Sequence, residues 1–226
     1  METGRALEQG EEATTSSFSA GWQHDGMIAY DMPGRGDENW RGGDRFPFYP
    51  HQLEWMVRYS RGVGAGVQAD VAVISPTPMG LGLQLGWKWQ LPLGVDWLAV
   101  AAGARGGGSF SGFGNLDDGM GIVTGHLDGG VVASVHPTDR HAVYISPRLR
   151  TDALYHRVWS DRGVDDATGR GTSMGGAAGI KLGNRGEEYF LETVALTTPR
   201  AEQTDGLRVM VGFGVRTDEG PSVPPW

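Results

Sequence analysis

The chain has no cysteine among its 226 residues. That removes disulfide scaffolds, thiolate metal sites and cysteine nucleophiles together. It has no surplus of positive charge either: 19 Lys+Arg stand against 27 Asp+Glu, for a formal charge of −8 and a pI near 5.2. Nucleic acid, which is held mainly by Lys and Arg on phosphate, is therefore not an expected partner. No segment approaches the roughly 18 consecutive apolar residues of a membrane-spanning helix, although a membrane β-barrel escapes that test because its signal is alternation. Helical periodicity is nearly absent: no stretch keeps apolar residues at i, i+3, i+4 and i+7 for three turns. The opening residues, Met1 to Glu12, carry neither the basic nor the apolar region of a secretory signal, so export would require a leader upstream of Met1.

Glycine, by contrast, supplies 38 residues, and the chain holds 8 Trp, 6 Tyr and 7 Phe within a hydrophobic share of 39%. That is too apolar for a disordered chain. Alternation with a period of two is the dominant pattern. From Leu81 to Leu91 the odd positions are Leu81, Leu83, Leu85, Trp87, Trp89 and Leu91, while the even ones are Gly82, Gln84, Gly86, Lys88 and Gln90. Near the end, Leu207, Val209, Val211, Phe213 and Val215 oppose Arg208, Met210, Gly212, Gly214 and Arg216. Gln52–Tyr59, Ala65–Val73 and Gly125–Val135 alternate as well, and weaker segments lie at Ser16–Met27, Val95–Arg105, Val143–Tyr155, Ser173–Leu182 and Tyr189–Leu196. This predicts ten strands, or eight if Val95–Arg105, aliphatic on both faces, and one neighbour fail to form.

Connection lengths also alternate. Short links are expected at Ser60–Gly64, Pro92–Val95, Pro137–Arg140 and Gly183–Gly186, and long ones at Asp31–Pro50, Gly106–Gly121, Trp159–Thr172 and Pro199–Gly206, with the brief Ser75–Met79 as an exception. Short turns at one end and long loops at the other are the layout of an outer-membrane barrel. The expected fold is all-β, a single up-and-down antiparallel transmembrane β-barrel over residues 13–216. Residues 1–12 form an N-terminal periplasmic segment and 217–226 a flexible Pro-rich tail, with both termini on the short-turn, periplasmic side. A soluble all-β binding protein with its apolar faces buried is the competing reading.

Residue size indicates which face is inside. The apolar faces carry bulky residues, and the opposite faces carry Gly, Ser and charges. An Arg or Lys facing lipid at mid-bilayer costs roughly 2–4 kcal/mol, so the charges are expected to point inward. The predicted interior network comprises Glu54, Asp70, Asp128 and Glu192 with Arg58, Lys88, Arg148, Arg150, Lys181 and Arg208, joined by His126. The predicted lipid-facing set is Leu81, Leu83, Leu85, Trp87 and Trp89 with Leu207, Val209, Val211, Phe213 and Val215. Trp87, Trp89, Trp97 and Tyr59 fall near strand ends, where an interfacial aromatic girdle would place them.

Three strings carry a family resemblance: Gly4-Arg-Ala-Leu-Glu-Gln-Gly-Glu11 ahead of the first strand, His136-Pro-Thr-Asp-Arg140 at a turn, and Val143-Tyr-Ile-Ser-Pro-Arg-Leu-Arg150 in the strand that follows. In these the chain resembles the small β-barrel outer-membrane proteins of Gram-negative bacteria, particularly those of myxobacteria. The resemblance covers residues 4 to about 216 and implies a barrel and a location, but no activity. Members usually end on an aromatic that closes the last strand. Here that strand ends Val215-Arg216 and ten residues follow, with Trp226 last.

Chemistry-bearing residues are sparse. His156, Asp161, Asp165 and Asp166 cluster near one expected long loop, and a His–Asp pair there could orient a water or hydroxyl for attack at the rim. His126 and Asp128 lie two apart on one strand face and could hold a metal or a proton, although a hydrogen-bonded interior network accounts for them better. Asp117-Asp118-Gly119 and Asp161 to Asp166 lack EF-hand spacing. No helix follows Arg105-Gly-Gly-Gly-Ser-Phe110 or the Gly112–Gly119 stretch to complete a phosphate cradle. Arg35-Gly36-Asp37 matches an adhesion tripeptide that chance readily produces. No cofactor and no metal are expected. The function read from the sequence is a closed, salt-bridged barrel in lipid bilayer and lipopolysaccharide, with a structural or interaction role through extracellular loops and a possible protein partner there. A narrow channel for small solutes and a rim-located hydrolase or lipid-modifying enzyme are the alternatives.

Overall fold

The structure, a computed structural model, describes residues 3–24, 51–75, 80–114, 119–160, 163–184, 186–198 and 206–219. Ten strands follow one another: β1 (Glu12–His24), β2 (His51–Gly64), β3 (Val67–Ser75), β4 (Gly80–Gln90), β5 (Leu98–Gly114), β6 (Gly119–Thr138), β7 (His141–Ser160), β8 (Gly163–Asn184), β9 (Glu187–Thr198) and β10 (Gly206–Glu219). Each pairs antiparallel with its chain neighbours, and β1 pairs with β10 to close the barrel. Closure leaves no open sheet edge around the barrel wall itself. The up-and-down barrel and its count of ten are those the alternation predicts, and no helix occurs among the described residues.

Several expected boundaries are corrected. The long loop expected at Gly106–Gly121 is largely strand: β5 and β6 pair from Gly106↔Leu127 up to Gly114↔Gly119. The one expected at Trp159–Thr172 is also largely strand, with β7 and β8 pairing up to Ser160↔Gly163. Glycine and aspartate have low strand preference, so Gly106-Gly-Gly108 and Asp165–Gly171 carry no strand signal of their own. They are held by hydrogen bonds to partners whose register the apolar belt has already fixed. Ser60–Gly64 belongs to β2, and the turn is the following Ala65-Gly66, where Gly66 adopts φ +70°. Gly186, at φ +78°, serves the β8–β9 turn in the same way, since positive φ suits a two-residue hairpin and costs glycine nothing. β10 continues past Arg216 to Glu219. The loop at Asp31–Pro50, the Arg35-Gly36-Asp37 string, residues 199–205 and the tail from residue 220 lie outside the described residues.

The wall is uneven in height. β3 and β4 have 9 and 11 residues, whereas β7 and β8 have 20 and 22. Among the described residues, β8 pairs with β9 over Met174–Asn184 and with β7 all the way to Gly163. Among the described residues, the upper parts of β5 to β8 therefore extend furthest at the long-strand end, as a fin.

Candidate functional site: the barrel interior and its N-terminal strap

The two faces of each strand are sorted by charge. On β4, Leu81, Leu83 and Leu85 are 62–67% exposed while Lys88 is 3% exposed. The outer surface carries all ten residues of the predicted lipid-facing set, with Val209 and Val215 partly covered. Trp87, Trp89, Trp97 and Tyr189 are exposed on the outside toward the short-turn end, with Tyr59 half-buried beside them. Arg58, Asp70, Lys88, Lys181 and Glu192 are buried on the inward face. Glu54, His126, Asp128, Arg148, Arg150 and Arg208 share that face at intermediate exposure.

Inside, the charges meet in local groups. Arg148 Nη2 donates to both oxygens of Glu192 at 3.3 and 3.2 Å, and the Tyr144 hydroxyl donates to Glu192 Oε2 at 3.1 Å. Tyr144 is 1% exposed, and its ring fits only because position 179 on the next strand is glycine: a Cβ there would stand 2.4 Å from Tyr144 Cζ. Nearer the short turns, Lys181 Nζ lies 2.5 Å from Glu188 Oε1, and Arg216 Nη1 lies 3.4 Å from Glu188 Oε2. Asp70 accepts from Gln68 Nε2 at 2.7 Å and has Arg105 Nε 3.9 Å away. Nearer the fin, Arg150 Nε donates to both oxygens of Asp152 at 2.8 and 3.1 Å. His126 Nε2 and Gln84 Nε2 are 2.8 Å apart.

Asp152, Glu188, Arg105, Arg216, Tyr144 and Gln68 are thus part of the interior although the predicted network omits them. Period-two alternation places Asp152, Tyr144, Gln68 and Arg216 on polar faces, so their signal was present. Arg105 ends a segment whose facing was ambiguous, and Glu188 lies just before the expected start of its strand.

The residues ahead of β1 form the least expected feature. Thr3–Glu11 runs across the inside of the short-turn mouth as a strap, with Thr3 and Leu7 buried. Its backbone is received by inward side chains. The Gly4 amide donates to Ser134 Oγ at 2.9 Å, that of Ala6 to Gln90 Oε1 at 2.7 Å, and that of Leu7 to Gln68 Oε1 at 3.2 Å. Lys88 Nζ donates to the carbonyl oxygens of Arg5 at 2.7 Å and Thr3 at 3.4 Å. Arg5 reaches two of the turns, at the Asp96 carbonyl and at Asp139 Oδ1, 3.3 Å away. The strap touches β2 through the Gly62 backbone and β3, β4 and β6 through side chains, in a segment with almost no apolar patterning, because those side-chain anchors are polar and lie 61 to 130 residues away.

Of the four rim candidates, the described side chains include that of Asp166. Asp166 is exposed and lies 3.6 Å from Arg157 Nε. Asp161 and the side chains of His156 and Asp165 lie outside the described residues, as do Asp117 and Asp118. No cluster of three His, Asp or Glu residues suited to a metal occurs among the described residues.

No protein-family model matches the chain, and no curated protein matches it. Solved structures similar to it include Ail, the attachment invasion locus protein of Yersinia pestis, at 7% identity and TM-score 0.42, over 93% of this chain and 99% of that one. Neisserial surface protein A aligns at 8% identity and TM-score 0.40, over 91% and 96%. The translocator domain of the autotransporter NalP from Neisseria meningitidis aligns at 10% identity and TM-score 0.44, over 92% and 87%.

Proposed function

We propose that this chain spans a bacterial outer membrane, with lipopolysaccharide in the leaflet around its long-strand end and the short turns and strap on the periplasmic side. Its interior is closed by ion pairs, and its work is interaction through the elements that rise from the long-strand end. The observation that carries this reading is the inverted sorting of faces: leucines more than 60% exposed on the same strand as a lysine 3% exposed. In water such an outside is a large exposed apolar surface, whereas in lipid it is the stable arrangement and the polar interior is the one place where Lys and Arg can stay charged. Buried ions are retained at low cost only when paired, and Arg148–Glu192, Lys181–Glu188 and Arg150–Asp152 supply such pairs. A lumen of about ten strands is narrow enough for these side chains and the strap to fill it.

Two measurements test this. The purified chain in a planar bilayer is expected to carry no steady current, and a steady conductance overturns the closed interior in favour of a narrow channel. Leu85→Arg, midway along β4, is expected to destabilise the barrel in liposomes by about 2–4 kcal/mol. Little or no loss in urea titrations would remove the case for lipid contact.

A further inference from the structure

The strap covers a buried histidine. His136 is 3% exposed and lies at the short-turn mouth, two residues from the end of β6. Its amide donates to the Trp97 carbonyl oxygen at 2.7 Å, level with the aromatic girdle rather than within the lipid-spanning stretch. Its Nε2 stands 2.8 Å from Ser134 Oγ, the same atom that accepts the Gly4 amide of the strap at 2.9 Å. Among the described residues its Nδ1, also buried, has no hydrogen-bond partner. The strap is pressed close here: a Cβ at Gly4 would stand 2.4 Å from the Ala99 carbonyl oxygen and 3.1 Å from Ser134 Oγ.

This geometry accepts a neutral imidazole and rejects a charged one. With its hydrogen on Nε2, the neutral ring donates to Ser134 Oγ and leaves only a lone pair without a partner. The imidazolium adds an N–H at Nδ1, a buried donor with nothing to receive it, and such groups are costly. The new charge would also stand among cations. Burial first, and then the Arg5 guanidinium of the strap and the Lys181 ammonium of β8, hold the His136 imidazole down to about 4, against the upward pull of Glu188 on β9 and Asp139 at the turn. Those two carboxylates are already engaged, Asp139 with Arg5 at 3.3 Å and Glu188 with Lys181 at 2.5 Å and Arg216 at 3.4 Å. The buried residues of β5 and β7 near this level, Ala99 and Ala142, carry no charge.

We propose that His136 is an acid-operated latch, and that protonation of its imidazole releases the strap from the short-turn mouth. The opened mouth gives Nδ1 water to donate to and restores the ordinary histidine value of roughly 6.5. Because the value is lowered while the strap is docked, docking is complete above about pH 6.5 and is lost as pH falls from there towards 4.

Hydrogen exchange of the full chain in liposomes tests this, read at the Gly4, Ala6 and Leu7 amides relative to their intrinsic rates. Exchange is expected to be roughly twentyfold faster at pH 5 than at pH 7, the linkage of one proton across that range. The amide of residue 136, bonded to Trp97 in the wall, is expected to stay protected at both, which separates release from unfolding. His136→Gln, with His136→Asn as the second variant should the first not fold, keeps a polar partner for Ser134 without a titrating group. Its strap amides are expected to exchange equally at the two pH values. His141, exposed and bonded to Thr138 at the next turn, is retained in both variants. Strap protection unchanged at pH 5 in the original chain overturns the proposal. So does a pH response that persists in the variants, or one that the residue 136 amide shares.

Discussion

Replacing Glu192 with alanine is expected to destabilise the barrel by about 3–5 kcal/mol, the usual consequence of leaving a buried charge without its partner. Glu192 is 4% exposed and receives both Arg148 Nη2 and the Tyr144 hydroxyl. Its loss leaves a guanidinium and a phenol facing an apolar methyl. Glu192→Gln keeps an acceptor for Tyr144 but removes the charge, and it is expected to fall between the two. Equilibrium unfolding in urea from liposomes measures the series. The same variants are expected to raise bilayer conductance little, because the other pairs and the strap still occupy the lumen. A large current from Glu192→Ala with unchanged stability would reverse the role assigned to this pair.

The second large effect concerns the strap. A Cβ at Gly62 would stand 1.8 Å from the Glu8 carbonyl oxygen and 2.8 Å from that of Leu7. Both of those atoms are backbone, so the conflict cannot be relieved by a side-chain rotation. Gly62→Val suits a strand and is expected to leave the barrel wall intact while expelling the strap. Leu7 then leaves its buried position, a loss of about 2 kcal/mol. Trypsin, which cleaves after Arg5, is expected to act at least about tenfold faster, since local opening governs proteolysis of native chains. Gly64→Val is the control, because a Cβ there meets nothing within 4 Å. Equal protection of Arg5 in both variants would show that the strap is not held as described.

Much of the barrel was legible because its largest free-energy term is written with a period of two. Leu81 to Trp89 and Leu207 to Val215 alternate, which fixes strand type, and the Gly, Lys and Arg on the opposite faces add the facing and the placement of Lys88 and Arg208. Legibility failed where the stabilising partner is distant or the residues are small. Gly163–Thr172 has no alternation of bulk to read, and its strand state comes from hydrogen bonds to β7. The Arg148–Glu192 pair lay within the predicted network, but its geometry depends on Gly179 leaving room for Tyr144. The strap was invisible for a different reason: what holds it are single polar side chains on three strands and the backbone of Gly62 on a fourth, each unremarkable in its own segment.

The strap also constrains the order in which the molecule can assemble. Its residues precede β2 to β6 in the chain, yet the Gly4 amide finds its acceptor 130 residues later, on Ser134, and the Ala6 amide finds its acceptor 84 residues later, on Gln90. Contacts between such distant positions form late, because the chain between them must first lose its conformational freedom. The strap therefore docks only after β2 to β6 have formed a curved wall, and its docking reports that event. A fluorescent probe at position 7 would become shielded in the same kinetic phase as completion of that wall, which makes the strap a clock for the middle of the barrel's folding.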